Sequence, residues 1–528
     1  MWTPPITAGN FFSAAYAGDE YDRVAAVWLD GRELLRTTTA EPTPEGVRWT
    51  VRKDVTRYSS LLRSPPSGVL SVMLENLVND QYTGVYNVTV SLEFHGTPPY
   101  LRSEVISDSS HKPKLPESYF QAPADLILPI SEATGGSGYW FRIQNSSDSR
   151  STPVTIPTST YRAVLEVFVS PHSNDEFWYS NPPDLYIEKN NLSTQRGNAA
   201  YREVVVRVDR RFAGSFVPFP VIYTGGINPL YWQPVPALGA FDLPTYDIEL
   251  TPFLGLLVDR KAHEIGISVV DGIAEWLVDA NLHLWLDPSW TEVEASLARY
   301  RTPHLSISRK YSTQLLNGSF SIRAKRKSFF SGWVKCSLGN LTTEVETELE
   351  AKSLVQFTND GTNKTVQLKV ERETEVVVRS HKGKEMGKLE TEAEYPLWFY
   401  METEDREDGT SVVKGSLTHT LDIETNVECG SFENEAHLVD EQTAEGWMLV
   451  KDHDVVNGTA TTSQKYRYSD DQWSYRRSID AVDGVVLSDN VSYSAENLQA
   501  AASACLHGRR CDGTSSAAAG RLVDIAVV

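Results

Sequence analysis

The sequence predicts a mainly β protein with two adjacent antiparallel β-sandwich (jelly-roll) domains and a further β-rich C-terminal region. Three observations support this fold class. Stretches of alternating apolar and polar residues recur along the 528 residues, segments rich in Gly, Pro, Asn and Ser separate them, and few stretches show a helical period. A chain of this length, with 41% hydrophobic residues, can bury several separate cores.

The first predicted sandwich occupies residues 1–98. Its clearest strand is 86–94, in which apolar side chains alternate with polar ones and Asn87 falls on the polar face. The residues before position 22 show no strand pattern. The chain also begins without the basic and apolar regions of a signal peptide, so we expect N-terminal strands and a leader to be missing.

The second predicted sandwich occupies residues 110–288, after a Pro- and Ser-containing linker at 95–116. Its strands include the alternating stretches YRAVLEVFV, YREVVVRVD and NLHLWLD. A C-terminal β-rich domain, rich in Lys and Glu, is predicted for residues 300–528. The stretch SWTEVEASLARY at 289–300 predicts a helix between them.

Charge and hydropathy narrow the range of partners. The 49 basic and 70 acidic residues give a net charge of −21, so nucleic acid is a poor candidate partner. No apolar run approaches the roughly 18 residues that cross a bilayer, so we expect no membrane insertion. The 13 Trp and 23 Tyr supply ring faces against which sugars can pack.

Eight N-glycosylation sequons point to the secretory pathway, with an extracellular or vacuolar destination, because few chains of this length carry so many. The acceptor residues are Asn87, Asn145, Asn191, Asn317, Asn340, Asn363, Asn457 and Asn490.

The four cysteines lie in the C-terminal half of the chain. In a secreted protein they permit two disulfides, and we favour a short Cys505–Cys511 link and a longer Cys336–Cys429 link, although three connectivities are possible. No CxxC pair is present, which argues against zinc ribbons and thioredoxin-like redox sites. We predict no metal site.

Several common catalytic motifs are absent from the sequence. It contains no GxSxG, GxGxxG or GxxxxGK[ST], and the pair His263-Glu264 lacks a second His four residues on. Serine hydrolases, nucleotide-binding enzymes and zinc proteases are therefore disfavoured. Carboxylates remain as candidate catalytic groups.

Three carboxylates interrupt apolar or aromatic strand material: Asp22, Glu75 and Glu176. Two of them have a specific structural alternative, which is a strand-end ion pair for Asp22-Arg23 and an exposed strand position for Glu75. Carboxyls held close together in an aromatic cleft titrate together, so that one serves as base and another as acid. Hydrolysis of a glycosidic or amide bond requires such a pair. The residue pattern alone indicates a secreted, sugar-active β protein without deciding the reaction.

The same stretches resemble the peptide N-glycanase A family of plants and fungi and, more distantly, bacterial peptide N-glycosidase F. The resemblance covers residues of about 18 to 290 and is carried by EYDRVAAVWLDGRELLRTTTAEPT, LSVMLENLVNDQYTGVYNVTVSLEF, NDEFWYSNPP and GGINPLYWQPV. It implies hydrolysis of the amide between the first N-acetylglucosamine and Asn in N-glycopeptides or glycoproteins. It also implies acidic working conditions and tolerance of core α1,3-fucose, with no cofactor.

The resemblance also implies roles for individual residues. Asp22 matches the main catalytic acid-base group, and Glu75 and Glu176 match the glutamates that position water and sugar. Arg23 would hold the carboxylate geometry or the polar groups of the substrate.

Trp178, Tyr179 and Trp232 are candidates for stacking on the chitobiose core, with ordinary core packing as their structural alternative. His172 is expected to be structural.

Two other functions stay open at this point. A non-catalytic glycan-binding β-sandwich would explain the aromatic and acidic composition, and a glycoside hydrolase would also use paired carboxylates. Product mass separates them, because an amidase alone turns Asn into Asp.

Overall fold

The structure, a computed structural model, describes residues 6–16, 23–41, 46–63, 68–80, 82–96, 115–132 and 138–495. It confirms the mainly β class with antiparallel sheets. In the described ranges no helix has the length and apolar character that crossing a bilayer requires.

The strands, in chain order, are β1 Ile6–Tyr16, β2 Val24–Leu29, β3 Arg32–Thr38, β4 Val47–Asp54, β5 Leu70–Leu74, β6 Asn87–Gly96, β7 Leu126–Ile130, β8 Phe141–Ile143, β9 Ser149–Val154, β10 Thr160–Pro171, β11 Glu203–Val208, β12 Arg211–Phe216, β13 Thr245–Glu249, β14 His263–Val270, β15 Trp276–Leu286, β16 Glu294–Arg301, β17 Ser306–Gln314, β18 Asn317–Cys336, β19 Gly339–Thr358, β20 Asn363–Ser380, β21 Glu385–Asp405, β22 Thr410–Cys429, β23 Phe432–Lys451, β24 Asp454–Ser469, β25 Trp473–Val482 and β26 Val485–Ala495. The helices are α1 Ser59–Arg63, α2 Asp184–Lys189 and α3 Leu254–Leu257. Short 3₁₀ turns cover Thr56–Tyr58, Ser173–Asp175, Trp178–Ser180, Pro229–Trp232 and Thr251–Phe253.

Strands β1 to β6, which we call the first unit, form two small sheets, with orders β4-β1-β6 and β3-β2-β5. The prediction that no strand precedes position 22 is wrong, because β1 is the central strand of its sheet. Phe12, Ala14 and Tyr16 are buried on one face and alternate with half-buried neighbours. Small residues in the stretch FFSAAY hide this period from a hydropathy pattern.

Strands β7 to β15, the second unit, form a five-stranded sheet, β13-β10-β15-β7 with β8 also on β15, and a four-stranded sheet, β12-β11-β14-β9. The central strands β10 and β15 are buried on both faces over nearly their whole length. One face packs in the main core, and the other packs against the first unit. This double covering explains why both strands carry charged residues that point inward and need partners.

Strands β16 to β26 form one 11-stranded sheet. Several of its strands have about 20 residues, which corresponds to roughly 65 Å at 3.3 Å per residue. One face packs on the second unit so closely that a Cβ at Gly332 would collide with the backbone of Pro252. The described strands of each sheet thus come from one of three successive stretches of chain, and the predicted boundaries at 98, 110, 288 and 300 remain a prediction.

The helix predicted at 289–300 is not formed. Asp287 Oδ1 accepts hydrogen bonds from the amides of Ser289 and Trp290, which makes a turn, and the chain then enters β16. Pairing of β16 with β18 satisfies its backbone groups. Tertiary pairing therefore outweighs local helix propensity here.

The favoured Cys336–Cys429 disulfide is also absent, because both residues are free, buried thiols. Cys336 ends β18 and Cys429 ends β22, and three strands lie between these two in the sheet. Four steps of about 4.8 Å separate them along the sheet, whereas a disulfide requires Cα atoms roughly 5.5 Å apart. Cys505 and Cys511 lie outside the described residues.

A buried charged cluster joins the first two units. Arg36 on β3 binds both oxygens of Glu33 at 2.7 Å, and its Nη2 lies 3.2 Å from Asp279 Oδ1 on β15. The indole N–H groups of Trp28 and Trp140 donate to the carboxylates of Asp279 and Glu33. These charged side chains are fully buried. We refer to Arg36, Glu33 and Asp279 as the interface cluster.

Replacement of Arg36 by Met should lower the free energy of unfolding by about 3–5 kcal/mol, because two buried carboxyls lose their cation. Urea unfolding followed by tryptophan fluorescence measures this loss. Arg48→Met removes an exposed arginine on β4 and should change stability by less than about 0.5 kcal/mol. Equal effects of the two substitutions would contradict an anchoring role for the interface cluster.

Candidate active site

Asp22, the first predicted catalytic residue, lies outside the described residues, which resume at Arg23. Arg23 is buried, with 4% of its surface exposed, and its Nη2 donates to Asn76 Oδ1 at 3.2 Å. Its backbone N–H donates to Thr39 Oγ1, and the Thr39 N–H donates back to the Arg23 carbonyl. Arg23 therefore ties the start of β2 to the segments that follow β3 and β5.

Glu75, the second predicted residue, directly follows the edge strand β5. Its side chain is 55% exposed, and Oε1 lies 3.7 Å from Arg142 Nη2 on β8 of the second unit. Arg142 also donates to Glu275 Oε1 at 2.8 Å. Glu75 therefore stands at the seam between the two units, beside a guanidinium held by a second carboxylate.

Glu176, the third predicted residue, follows the 3₁₀ turn Ser173–Asp175 after β10 and is half-buried. Burial raises the pKa of its carboxyl, and the nearby Arg196 guanidinium opposes this shift. Burial and the Glu176 charge raise the pKa values of Tyr179 and Tyr223 well above their usual range. Glu176 is therefore half-buried and within electrostatic range of two tyrosines and one arginine.

His172 lies between the surroundings of the two glutamates. Its ring stacks on Tyr223 with centroids 5.5 Å apart, and its Nε2 bonds the Ser170 hydroxyl at 2.8 Å. Burial and the charges of Arg36 and Arg142 lower the pKa of His172 to about 3, so the imidazole is neutral. His172 is thus a buried, hydrogen-bonded residue, and its structural role remains a prediction.

A chain of contacts links Arg23 to the surroundings of Glu75 and Glu176. The Thr224 hydroxyl donates to the carbonyl of Thr39, and the Thr39 N–H donates to the Arg23 carbonyl. Thr224 is adjacent to Tyr223, which stacks on His172 in the segment that leads to Glu176. On the other side Arg23 binds Asn76, the neighbour of Glu75. The structure thus brings residues next to Glu75 and near Glu176 into one chain of contacts with Arg23, and the convergence of the three carboxylates remains a prediction. Among the described residues, no hydrogen bond joins the Glu75 and Glu176 carboxyls directly.

The three predicted stacking residues are in the core. Trp178 and Tyr179 are 0% exposed and Trp232 is 4% exposed, with its Nε1 donating to the Gly226 carbonyl at 2.8 Å. A ring without exposed faces cannot stack on a sugar, so this prediction requires correction. Phe177 in the same segment is half-buried and lines an open cavity.

The structure adds functional candidates that sequence reasoning missed. Arg142, Tyr223 and Arg196 surround the glutamates, and Glu41 lies two residues beyond Thr39 with its pKa raised to about 7 by burial. In the sequence these residues lie in apolar or turn-like stretches that contain no recognisable motif. The nearest available signal was the stretch TTTAEPT, in which an acidic residue follows a buried strand.

The carboxyls of the candidate site differ in their exposure to solvent. The seam beside them carries neutral and cationic hydrogen-bond donors. An exposed glutamate beside an arginine suits orientation of water, and a poorly solvated carboxyl retains a proton to higher pH. In the described residues the group of side chains spaced to hold a metal ion is Glu373, Glu390 and Glu392, on the C-terminal sheet and away from this seam.

We expect Glu176→Gln to raise Tm at pH 8, by roughly 2–4 °C, and to leave it unchanged at pH 4. A raised folded-state pKa means that the protonated carboxyl stabilises the fold below about pH 4.5 and that this stability is lost as pH rises. Glutamine imitates the protonated form at every pH. Differential scanning fluorimetry gives both Tm values, and the exposed Glu75→Gln is the control with no shift at either pH. A gain at pH 4 equal to that at pH 8 would refute the burial argument.

Comparison with known proteins identifies the family of this chain. The family described as peptide N-acetyl-β-D-glucosaminyl asparaginase amidase A matches residues 10–303. The peptide-N4-(N-acetyl-β-glucosaminyl)asparagine amidase A of Prunus dulcis is 41% identical over 480 residues, which cover 89% of this chain and 81% of the relative.

Two solved structures are also similar. Recombinant peptide:N-glycanase F has a TM-score of 0.33 at 15% identity, covering 53% of this chain and 84% of the other. PNGF-II has a TM-score of 0.32 at 12% identity, covering 54% and 58%. The family match over more than half of the chain and the identity to the Prunus dulcis protein decide the assignment: the chain belongs to the peptide N-acetyl-β-D-glucosaminyl asparaginase amidase A family.

Proposed function

We propose that this chain is an amidase that hydrolyses the bond between the first N-acetylglucosamine of an N-linked glycan and the side chain of Asn. Its substrates are N-glycopeptides or glycoproteins. The observation that carries the proposal is the chain of contacts from Asn76, next to Glu75, through Arg23, next to Asp22 in the sequence, and Thr39 to Thr224, whose neighbour Tyr223 stacks on His172 near Glu176.

In the proposed reaction, water adds to the Asn side-chain carbonyl carbon and the bond from this carbon to the glycosylated nitrogen breaks. The peptide retains Asp, and the departing glycosylamine takes up a proton and later loses ammonia. Asp22 acts as the acid-base group for the water and the amide. The raised pKa of Glu176 suits a carboxyl that donates a hydrogen bond to the sugar or the amide.

Glu75 orients the attacking water from the exposed side of the seam. Arg142 holds its carboxylate in place and is itself held by Glu275. Arg23, bound to Asn76, fixes the backbone next to Asp22 and is therefore a positioning residue. The proposed reaction consumes only water, and no cofactor enters any step.

Incubation of a defined N-glycopeptide with the protein at acidic pH should yield a peptide with Asp in place of Asn, measured by mass spectrometry. Asp22→Asn, Glu75→Gln and Glu176→Gln should each lower kcat/KM by roughly 10²–10⁴-fold. Glu264→Gln, an exposed carboxylate on β14, is the matched control and should retain activity.

The products also test the alternatives. Cleavage between sugars with Asn retained would identify a glycoside hydrolase. Binding of glycan without any product would identify a glycan-binding module. Either result would overturn the proposed amidase.

We also propose that the protein follows the secretory pathway. Six sequon asparagines have exposed side chains: Asn87, Asn145, Asn191, Asn340, Asn457 and Asn490. Asn317 and Asn363 are half-buried and hydrogen-bonded to Asp360 and Tyr400.

Expression behind a leader in a eukaryotic host should therefore give glycans mainly at the six exposed sequons and lower occupancy at the two half-buried ones, because the transferred sugar needs an accessible amide nitrogen. Glycopeptide mapping by mass spectrometry measures the occupancy of each site. Absence of glycan from all six exposed sites would contradict the secretory assignment.

A further inference from the structure

A cavity of about 640 Å³ lies between the segment that follows Glu176 and the C-terminal sheet. The second unit contributes Phe177 and Arg196 to its wall, and strands β19 to β21 with their connections contribute Phe357, Lys364 and Asp405. The cavity therefore exists only because the 11-stranded sheet packs beside the candidate active site.

The cavity begins next to Glu176 in the chain. Phe177 is the next residue in the chain, and Arg196, which acts on the Glu176 carboxyl, lies with its guanidinium carbon 5.4 Å from the Phe177 ring centroid. The Phe177 ring also contacts Tyr179, and Tyr179 contacts Phe399 on β21. A ligand that extends from Glu176 can thus enter the cavity along the Phe177 side chain.

The polar lining offers both donors and acceptors. Lys364 Nζ donates to Ser180 Oγ at 2.9 Å, which uses one of its three donor hydrogens. Burial and Arg196 lower the pKa of Lys364 to about 8, so the ammonium is charged at acidic pH. Asp360 and Asp405 are exposed carboxylates in the same wall. Cations and carboxylates together favour a ligand with many hydroxyl groups over one with a single strong charge.

The apolar lining suits the same ligand class. Phe177 and Phe357 are half-buried, so each presents part of a ring face or edge to the cavity. Aromatic rings pack against the C–H faces of sugars, while hydroxyl groups take the polar partners. Lined in this way, the cavity matches a short oligosaccharide better than it matches a peptide or a nucleotide.

We propose that this cavity is a second carbohydrate subsite, in which the C-terminal sheet binds sugar residues of the N-glycan beyond the chitobiose at the reacting bond. The identity of the glycan as substrate rests on the proposed amidase function. The C-terminal sheet would then contribute directly to substrate selection, although most of it lies beyond residues 10–303, which the family model matches.

The test uses isothermal titration calorimetry with the free trimannosyl-chitobiose pentasaccharide, which contains no Asn and cannot be hydrolysed as an amide. Lys364→Met removes the ammonium donor, and Thr403→Trp fills the cavity from β21. Each should raise the Kd for the pentasaccharide at least about tenfold, whereas the Kd for free chitobiose should stay within about twofold.

Lys369→Met is the matched control. It makes the same substitution on the same strand, but Lys369 is five residues away, points to the opposite face and pairs with Glu371 and Glu394. It should leave pentasaccharide binding unchanged. Thermal melting of each variant shows that the fold is retained.

Each outcome decides the proposal. Unchanged pentasaccharide affinity in folded Lys364→Met and Thr403→Trp, or no binding by the wild-type protein, overturns the subsite. Asn363 adjoins Lys364, so binding that appears only in Asn363→Gln would show that the chain's own glycan fills the cavity, which also overturns it. Failure to convert Asn to Asp in a glycopeptide while pentasaccharide binding follows the expected pattern would overturn the amidase and leave the subsite standing.

Discussion

The buried interface cluster of Arg36, Glu33 and Asp279 sets the relative position of the first two units, and the candidate active site depends on that position. Burial raises the pKa of Asp279 well above its usual range, with the Glu33 charge adding to the effect and the Arg36 charge opposing it. Arg36 also donates to the Ser170 hydroxyl on β10. A buried charge tolerates little displacement from its partners, because each lost contact exposes an uncompensated charge to a poorly polarisable interior.

The same hydrogen-bonded network extends from the cluster to the site. The Ser170 hydroxyl is hydrogen-bonded to His172, and the His172 ring stacks on Tyr223. The Glu176 charge contributes to the raised pKa of Tyr223. Glu75 approaches from the first unit and meets Arg142 of the second. The site thus contains one exposed carboxyl and one half-buried carboxyl on opposite sides of a seam. Such a difference in solvation is a common way to give two like groups different tasks in one reaction.

Much of the acidic charge of the chain lies on the C-terminal sheet. On its outer face Glu373 is directly opposite Glu392, and Glu392 is opposite Glu424, in adjacent antiparallel strands. Burial raises the pKa of Glu392, and these glutamates add to the shift. Lysines on the same face pair with flanking glutamates and limit the repulsion. A charged outer face keeps a long, regular sheet from pairing with other sheets, while the inner face packs on the second unit.

The sequence by itself determined the features that arise from local chemistry. The period of two in 86–94 reappears as β6, with Asn87 exposed, whereas the catalytic roles of Glu75 and Glu176 remain predictions. The family resemblance supplied the proposed roles. Tertiary structure alone decided which faces are covered. It buried Trp178, made 289–300 continue into a strand, and assembled the interface cluster from residues more than 200 positions apart. Periodicity reports the two faces of a strand but not what packs on each, because that depends on partners distant in the chain.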